Sequence, residues 1–205
     1  MTTPGQPHRD DLLGQLAAGA EPTLTPGPTS RPSGPDASVR PAIDEDVRAI
    51  VDIQFAAWQG RGLVTADDLR GVDRSAVEEQ WRDAISRPPS AGHRVLTAVA
   101  GPAVVGFLAV APATTDDPQA DAAGEIIAME IAADRTREGH GARLLAACVD
   151  LSRDGGYSTL HTWASADDEA RTRFLNSAGF GPTGQRRTLG ALHGEVVEHL
   201  WRTAL

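Results

Sequence analysis

The sequence predicts an α/β fold in which one folded domain follows a proline- and glycine-rich leader. Short segments rich in β-favouring apolar residues alternate along the chain with segments whose apolar residues recur at helical spacing. One predicted strand, residues 125–131, is followed closely by a glycine-marked turn and a helix. The first 38 residues lack such patterns, because proline and glycine recur throughout them. The predicted boundaries are therefore 1–38 for the leader and 39–205 for the domain.

The charge and cysteine content exclude several classes of protein. The 205 residues carry 19 basic and 28 acidic side chains, and the formal net charge of −9 argues against a nucleic-acid-binding protein with a basic surface. All 19 basic residues are arginine, so no lysine can act as a nucleophile or form a Schiff base. The single cysteine, Cys148, excludes an intramolecular disulfide and fits a reducing cytoplasm.

The leader is predicted to be a disordered N-terminal tail. Its composition cannot bury enough apolar surface to order itself. It also lacks the basic start and the apolar core of a secretory signal peptide. Together with the cysteine usage, this predicts a cytoplasmic protein.

The domain is predicted to begin with an edge strand and two helices. Residues 39–42 read as the strand, and Asp44 is the expected N-cap of a helix that extends to about Trp58. A glycine-containing connection then leads to a second helix over about residues 74–86. Its Trp81, like Trp58, is expected to anchor the core rather than to stack on a substrate.

An uncharged stretch, residues 95–115, has about the length that a membrane-spanning helix needs, roughly 20 residues. Gly101 and Pro102 interrupt it, however, and valine and alanine dominate both halves. Two strands over residues 93–100 and 103–111, joined by a tight turn, explain this pattern and exclude a membrane span. A polar loop over residues 114–123 is expected to follow.

The predicted strand at 125–131 and the helix after it form a candidate anion site. Strict alternation would place Glu125 on the same face as Met129, and Glu130 on the opposite face. The helix begins at the residues Gly139-His140-Gly141, with His140 expected to point outward. The first N–H groups of a helix have no partners of their own, and glycine lets a ligand approach the backbone. With Arg135 and Arg137 just upstream, this turn suits a phosphate or diphosphate.

Two common phosphate-binding motifs do not fit this turn. A P-loop needs a lysine, and the dinucleotide fingerprint needs a third glycine where this chain has Leu144. The hexapeptide Thr136-Arg137-Glu138-Gly139-His140-Gly141 instead resembles the acyl-CoA signature [Q/R]-x-x-G-x-[G/A] of the GNAT superfamily of N-acyltransferases. Thr136 departs from the usual glutamine or arginine, and Glu138 stands where many relatives carry a basic residue.

A second motif supports this resemblance. Residues 158–163 read as a strand, residues 167–178 as a short helix, and Gly179-Phe180 follow. The segment 170–180 looks like the family's A-x-x-F-Y-x-x-x-G-F. A hairpin over residues 185–189 and 195–202 completes the order β-α-α-β-β-β-α-β-α-β-β. That order is similar to the family's mixed central sheet with flanking helices.

The resemblance implies that acetyl-CoA binds as co-substrate. Cofactor contacts are then expected from the strand, from the glycine turn and from an acidic residue before the following helix. These residues are Met129, Ile131, Arg135, Arg137, Glu138, Gly139, His140, Gly141, Ala142 and Asp167. The six histidines show no metal-ligand spacing, so no metal is expected.

The resemblance also implies catalytic roles on the strand. Gly124-Glu125-Ile126 resembles the start of relatives whose glutamate acts as general base through water, and Glu130 is the alternative base. Met129 would polarise the thioester carbonyl through its backbone N–H. The family's usual acid is a tyrosine, but its position holds Leu175, and Tyr157 cannot replace it by position. His161, Ser165 or water remain as proton donors.

These observations predict an acyl-CoA-dependent N-acyltransferase that moves an acetyl group to a primary amine of a small molecule or peptide. The alternative is a non-catalytic acyl-CoA-binding module used as a sensor or assembly part, which the departures at Thr136 and Leu175 favour. Asp67, Asp68 and the acidic residues after them would suit a cationic acceptor, but a solvated helix face is the preferred explanation. No nucleic acid or membrane partner is expected, and a homodimer is compatible with the prediction.

Overall fold

Seven strands form one mixed sheet in the computed structural model. The strands are β1 (Ala37–Pro41), β2 (Arg94–Ala100), β3 (Ala103–Pro112), β4 (Ala123–Ile131), β5 (Thr159–Ser165), β6 (Gly181–Ala191) and β7 (Gly194–Ala204). Their order across the sheet is β1-β2-β3-β4-β5-β7-β6. Only the neighbours β4 and β5 run parallel, and every other neighbouring pair is antiparallel. The predicted mixed α/β sheet is therefore confirmed.

Five α-helices connect these strands. They are α1 (Val47–Gly60), α2 (Ala66–Gly71), α3 (Arg74–Ser86), α4 (His140–Asp154) and α5 (Glu169–Ser177). The structure describes residues 37–113 and 123–205, and for Ala191 it describes only the backbone. These residues belong to one compact unit. Residues 1–36 of the predicted leader and 114–122 of the predicted polar loop lie outside the described residues. The remaining residues of both segments are in strands, since β1 begins at Ala37 and β4 at Ala123.

The uncharged stretch forms the hairpin β2–β3, as predicted, and its turn uses Gly101 at φ +58°. No helix of the described residues is long and apolar enough to cross a membrane. The predicted N-cap of α1 is wrong, because Asp44 begins a short 3-10 turn that ends at Asp46. Asp46 is buried and accepts hydrogen bonds from both terminal nitrogens of Arg40, at 2.6 and 2.9 Å. This pair ties β1 to the start of α1.

The sheet is covered on both faces. On one face α4 and α5 pack against β2, β3 and β4, and the fully buried Cys148 lies in this cluster. Burial raises the pKa of the Cys148 thiol to about 11, which excludes it as a nucleophile at neutral pH. On the other face, α1 and α3 cover Phe107. The rings of Trp81 and Phe107 pack edge to face, with their centroids 5.1 Å apart. Trp81 therefore anchors the core, as expected.

A β-bulge in β4 changes which side chains share a face. Ala128 pairs with Ala109 and Ile126 with Val110, so Ile127 is an extra residue that is 60% exposed. The strict alternation predicted from the sequence is therefore wrong. Because the bulge shifts the register by one residue, Glu125 lies on the face of α1 and α3 together with Glu130, while Met129 faces α4.

The strands β4 and β5 separate beyond the bulge. Their pairing runs only from Ala123 opposite Thr159 to Ile126 opposite Thr162. Residues 127–131 of β4 therefore present an unpaired edge toward β5, and we call this opening the β4–β5 gap. Its two sides are held in place by β3 and β7, which pair with β4 and β5 along nearly their whole length.

Candidate active site

The glycine turn after β4 exposes the start of helix α4. Arg137 at φ 63° and Gly139 at φ 82° both adopt the left-handed conformation and so reverse the chain into the helix. Gly139 is the N-cap, and no side chain caps the helix. The first helical bond runs from the N–H of Arg143 to the Gly139 carbonyl, at 3.1 Å. The N–H groups of residues 140–142 therefore have no partner within the helix, as an anion site requires.

The carboxylate of Glu138 binds two neighbouring side chains at this turn. The Nε of Arg135 donates to Glu138 at 3.1 Å, and the Nε2 of His140 lies 3.2 Å from the same oxygen. The hydrogen bond from Arg135, followed by that of His140, lowers the pKa of Glu138. The prediction that His140 points outward is wrong, since only 3% of it is exposed. Arg137 is exposed, and the guanidinium of Arg143, which the sequence analysis did not select, donates to the Glu138 carbonyl at 3.2 Å.

Gly141 lets the start of α4 lie directly against β4 and α5. A Cβ atom there would stand 3.4 Å from the Met129 side chain and 3.7 Å from the ring of Phe174. A larger side chain would push the helix away from both elements. The exposed Ala142 follows and opens a groove of about 480 Å³ between α4 and α5. Phe174, which lies beside Gly141, also lines this groove, so the groove begins next to the glycine turn.

The backbone of Met129 faces the β4–β5 gap. Its carbonyl accepts a hydrogen bond of 2.5 Å from Nη1 of Arg171 on α5. In an extended strand the N–H and C=O groups of one residue project to the same side, so the Met129 N–H also faces the gap. By the same alternation, the backbone of Ile131 does so too. The two strand residues predicted to contact the cofactor therefore share the gap with a cation that the sequence analysis did not select.

Helix α5 begins two residues later than predicted, at Glu169. Asp167 is exposed, and its backbone N–H lies 3.4 Å from the Ser165 hydroxyl. The N-cap is Asp168, whose carboxylate accepts from the backbone N–H of Arg171 at 2.9 Å. Leu175, one helical turn after Arg171, is buried in the core. It offers no proton to the gap.

The two candidate bases on β4 have different surroundings. Glu130 is 14% exposed, and one carboxylate oxygen lies 2.8 Å from Arg61 at the end of α1 while the other lies 4.0 Å from Arg171. Glu125 is half-buried and forms no ion pair with any other residue that the structure describes. Burial raises the pKa of Glu125, which is the expected direction, while Arg187 opposes and Glu198 assists the shift. Glu130 is thus committed to charge pairing, and Glu125 is the carboxylate suited to bind a proton.

A wall of three side chains stands near Glu125, and the sequence analysis did not identify it. The guanidinium of Arg187 on β6 lies 4.3 Å from the ring centroid of Trp163 on β5. It also makes an ion pair of 2.7 Å with Glu198 on β7. Arg187 and Glu198 are direct partners across the hairpin, and both influence the pKa of Glu125 electrostatically. His161, the β5 neighbour of Glu125, is buried between these groups and β4.

The tip of the β6–β7 hairpin contacts the segment between α1 and α3. Nε2 of His193 lies 2.5 Å from a carboxylate oxygen of Asp68 in α2. Asp68 also accepts from the backbone N–H and the hydroxyl of Thr65, which caps this helix. These hydrogen bonds, first from Thr65 and then from His193, lower the pKa of Asp68. At least one residue of the predicted acidic surface is therefore engaged in structure.

The part of the chain that the structure describes contains no group of three or more histidine, cysteine, aspartate or glutamate side chains that could hold a metal ion. The residues that meet at the gap are instead suited to hydrogen bonding and proton transfer. Backbone N–H groups surround one end of the gap, a half-buried carboxylate lies on the opposite face, and an aromatic ring lies near that carboxylate.

Comparisons with known proteins agree with this arrangement. A model of the family described as "Acetyltransferase (GNAT) family" matches residues 49–180. No curated protein sequence matches the chain. The paia N-acetyltransferase of Thermoplasma acidophilum, solved with coenzyme A, has a TM-score of 0.67 at 14% identity and covers 83% of this chain and 99% of its own.

Two further solved structures are similarly related. The ribosomal-protein-alanine N-acetyltransferase of Brucella melitensis has a TM-score of 0.67 at 21% identity, over 82% of this chain and 99% of its own. The yncA protein of Salmonella typhimurium, solved with its cofactor acetyl-CoA, has a TM-score of 0.65 at 20% identity, over 82% and 94%. At these identities the structures establish the fold, while the family model covers more than half of the chain. The chain therefore belongs to the GNAT acetyltransferase family, and it is an acyl-CoA-dependent acetyltransferase.

Proposed function

We propose that this protein transfers the acetyl group of acetyl-CoA to a primary amine, and that Glu125 accepts the amine proton through a water molecule. The observation that carries this proposal is the environment of Glu125. Its carboxylate is half-buried, its pKa is raised by burial, and it makes no ion pair among the described residues. A carboxylate whose pKa is raised by burial binds a proton more readily than a fully solvated or ion-paired carboxylate does.

The co-substrate fits the residues on the other side of β4. The unpaired N–H groups of residues 140–142 suit the diphosphate, and Arg137 and Arg143 add positive charge beside them. The β4–β5 gap suits the pantetheine arm, because the backbone groups of Met129 and Ile131 face it. The groove that begins at Ala142 offers room for the nucleotide.

The Met129 N–H is the group we expect to polarise the thioester carbonyl. A donor fixed by the strand needs no reorganisation during the reaction, and such a donor contributes roughly 10²–10³ in rate. The acceptor amine approaches from the face of Glu125, beside Trp163, Arg187 and Glu198. The guanidinium of Arg187 already lies over the indole face and pairs with Glu198, so these side chains do not select for a protonated amine.

The alternative is an acyl-CoA-binding module without catalysis, and the buried Leu175 in the place of the family's acid favours it. Release of free thiol from acetyl-CoA, measured with a panel of diamines, amino acids and peptides with a free N-terminus, distinguishes the enzyme from the binding module. We expect thiol release with at least one amine, together with a new amide in the product. Tight acetyl-CoA binding without turnover on any amine would favour the module.

A further inference from the structure

Arg171 is a cation enclosed at the point where the thioester is expected to lie. Only 20% of its side chain is exposed, and its Nη1 donates to the carbonyl of Met129 at 2.5 Å. Met129 is also the residue whose N–H faces the same gap. A guanidinium bonded to this carbonyl is therefore adjacent to any carbonyl group that the N–H binds.

Among the described residues, the one carboxylate that lies within 4.0 Å of the Arg171 guanidinium is shared with a second arginine. Glu130 lies 4.0 Å from Arg171, but it also makes the 2.8 Å ion pair with Arg61, so two cations share one carboxylate. Burial lowers the pKa of Arg171, and Glu130 opposes this shift. The other acidic groups that act on it are Asp168, which accepts the Arg171 backbone N–H, and Glu198, which pairs with Arg187.

The position of Arg171 on α5 connects it to the missing acid. Arg171 and Leu175 are four residues apart and therefore lie on the same face of the helix, one turn from each other. Leu175 occupies the place where the family's proton donor is expected, and it is buried. Among the described residues, Nη1 is the only atom of the Arg171 guanidinium that makes a hydrogen bond. The remaining N–H groups are available to a ligand in the gap.

We propose that Arg171 stabilises the thiolate of coenzyme A as it leaves. The amine nitrogen attacks the acetyl carbon, the carbon–sulfur bond breaks, and its electron pair goes to sulfur. Glu125 takes the amine proton through water, Arg171 donates charged hydrogen bonds to the sulfur anion, and solvent later protonates it. This inference rests on the proposed function. It replaces a proton donor with a fixed positive charge, because a guanidinium remains protonated at working pH.

The test measures how the protein binds coenzyme A at different pH values, which requires no knowledge of the acceptor. Isothermal titration calorimetry between about pH 7 and pH 10 covers the ionisation of an ordinary thiol. Desulfo-coenzyme A, which lacks the thiol, serves as the reference ligand at each pH. Both ligands meet the same carboxylates, Glu130, Asp168 and Glu198, and the same arginines at each pH, so the ratio of the two affinities isolates the thiol.

In the wild type we expect the affinity for coenzyme A relative to the desulfo ligand to rise by about 10- to 100-fold as the thiol ionises, the range for a charged hydrogen bond. Arg171→Met should abolish this rise, and Arg171→Lys should restore part of it. Arg171→Gln keeps a donor for Met129 without the charge, so it provides the uncharged test should the methionine variant fail to fold. The matched control is Arg173→Met, since Arg173 is on the same helix but 72% exposed.

A rise of equal size in Arg171→Gln or Arg171→Met and in the wild type would overturn this inference and leave the proposed function standing. Failure of the wild type to bind coenzyme A at any pH would overturn the proposed function, and this inference with it. Loss of the rise in Arg173→Met as well would show that helix α5, rather than the charge of Arg171, determines thiolate binding, and would likewise overturn the inference.

Discussion

Replacing Glu125 by glutamine tests the proposed base most directly. Glutamine keeps the shape of the side chain and a hydrogen-bonding oxygen but cannot accept the amine proton. A positioned general base contributes roughly 10²–10⁴ in rate, so we expect kcat/KM to fall by that factor, which corresponds to about 3–5 kcal/mol of transition-state stabilisation. The assay follows thiol release from acetyl-CoA with the best amine of the panel. The affinity for acetyl-CoA should change by less than about twofold, because Glu125 faces away from Met129 and the gap.

The pH dependence gives a second measurement on the same variant. Burial raises the pKa of Glu125, so the wild-type rate should rise with pH along a limb that lies above the range of an ordinary carboxyl group. Glu125→Gln should lose this limb. Because the folded-state pKa lies above the unfolded value, the contribution of Glu125 to stability decreases as pH rises through the folded-state pKa. The glutamine variant should therefore melt no lower than the wild type at pH 7.

Glu130→Gln is the matched control, since Glu130 lies on the same face of the same strand. It should lose stability rather than the pH limb, because the substitution leaves Arg61 and Arg171 without their shared carboxylate. Full activity of Glu125→Gln combined with loss of the pH limb in Glu130→Gln would refute our assignment of the base.

Three further changes test other parts of the molecule. Gly139→Val places a branched residue at φ 82°, which should destabilise the fold by about 1–2 kcal/mol and weaken acetyl-CoA binding in calorimetry; unchanged affinity would refute the diphosphate site. Trp163→Ala should raise the KM for the acceptor about threefold to tenfold without changing the affinity for acetyl-CoA. An effect on acetyl-CoA affinity alone would contradict the expectation that Trp163 lines the acceptor site. Asp46→Asn should cost about 1–3 kcal/mol in urea unfolding at pH 7. Burial opposes ionisation of Asp46, but hydrogen bonds from Arg40 and Ile43 lower its pKa. The extra stability of the wild type over Asp46→Asn should therefore disappear as pH falls through the folded-state pKa of Asp46. Equal stability of the two proteins at pH 7 would contradict this prediction.

Apart from the short helix α2, which was not among the predicted elements, the sequence predicts the order of the elements and the start of α4 well, because these depend on local chemistry. Gly139 is needed for a left-handed N-cap, and a run of good helix formers follows it. The β2–β3 hairpin is equally local, since Gly101 and Pro102 interrupt an apolar stretch. In each case a residue with a special backbone requirement lies beside a clear periodic pattern. Tertiary contacts do not override such local signals.

The side chains that meet around Glu125 could not be identified in this way. Ile127 is an apolar β-branched residue within an apolar strand, so nothing in the strand indicates that it is the extra residue of a bulge. Arg171 belongs to a helix that reaches β4 only in the folded chain. One signal in the sequence was available for the wall that Trp163, Arg187 and Glu198 form. Counting outward from a two-residue turn at Leu192 and His193 places Arg187 opposite Glu198, as the structure does.

The bulge at Ile127 explains how a single strand can serve two ligands. Before the bulge, Glu125 lies on the face covered by α1 and α3, where the acceptor amine is expected. After it, the side chain of Met129 faces α4, and the Met129 backbone faces the β4–β5 gap. An unbroken strand would put Glu125 and Met129 on one face, as the sequence alone suggested, and would bury the carboxylate beneath α4. The extra residue therefore separates the proposed proton acceptor from the backbone that we propose binds the thioester, while keeping the two four residues apart in the chain.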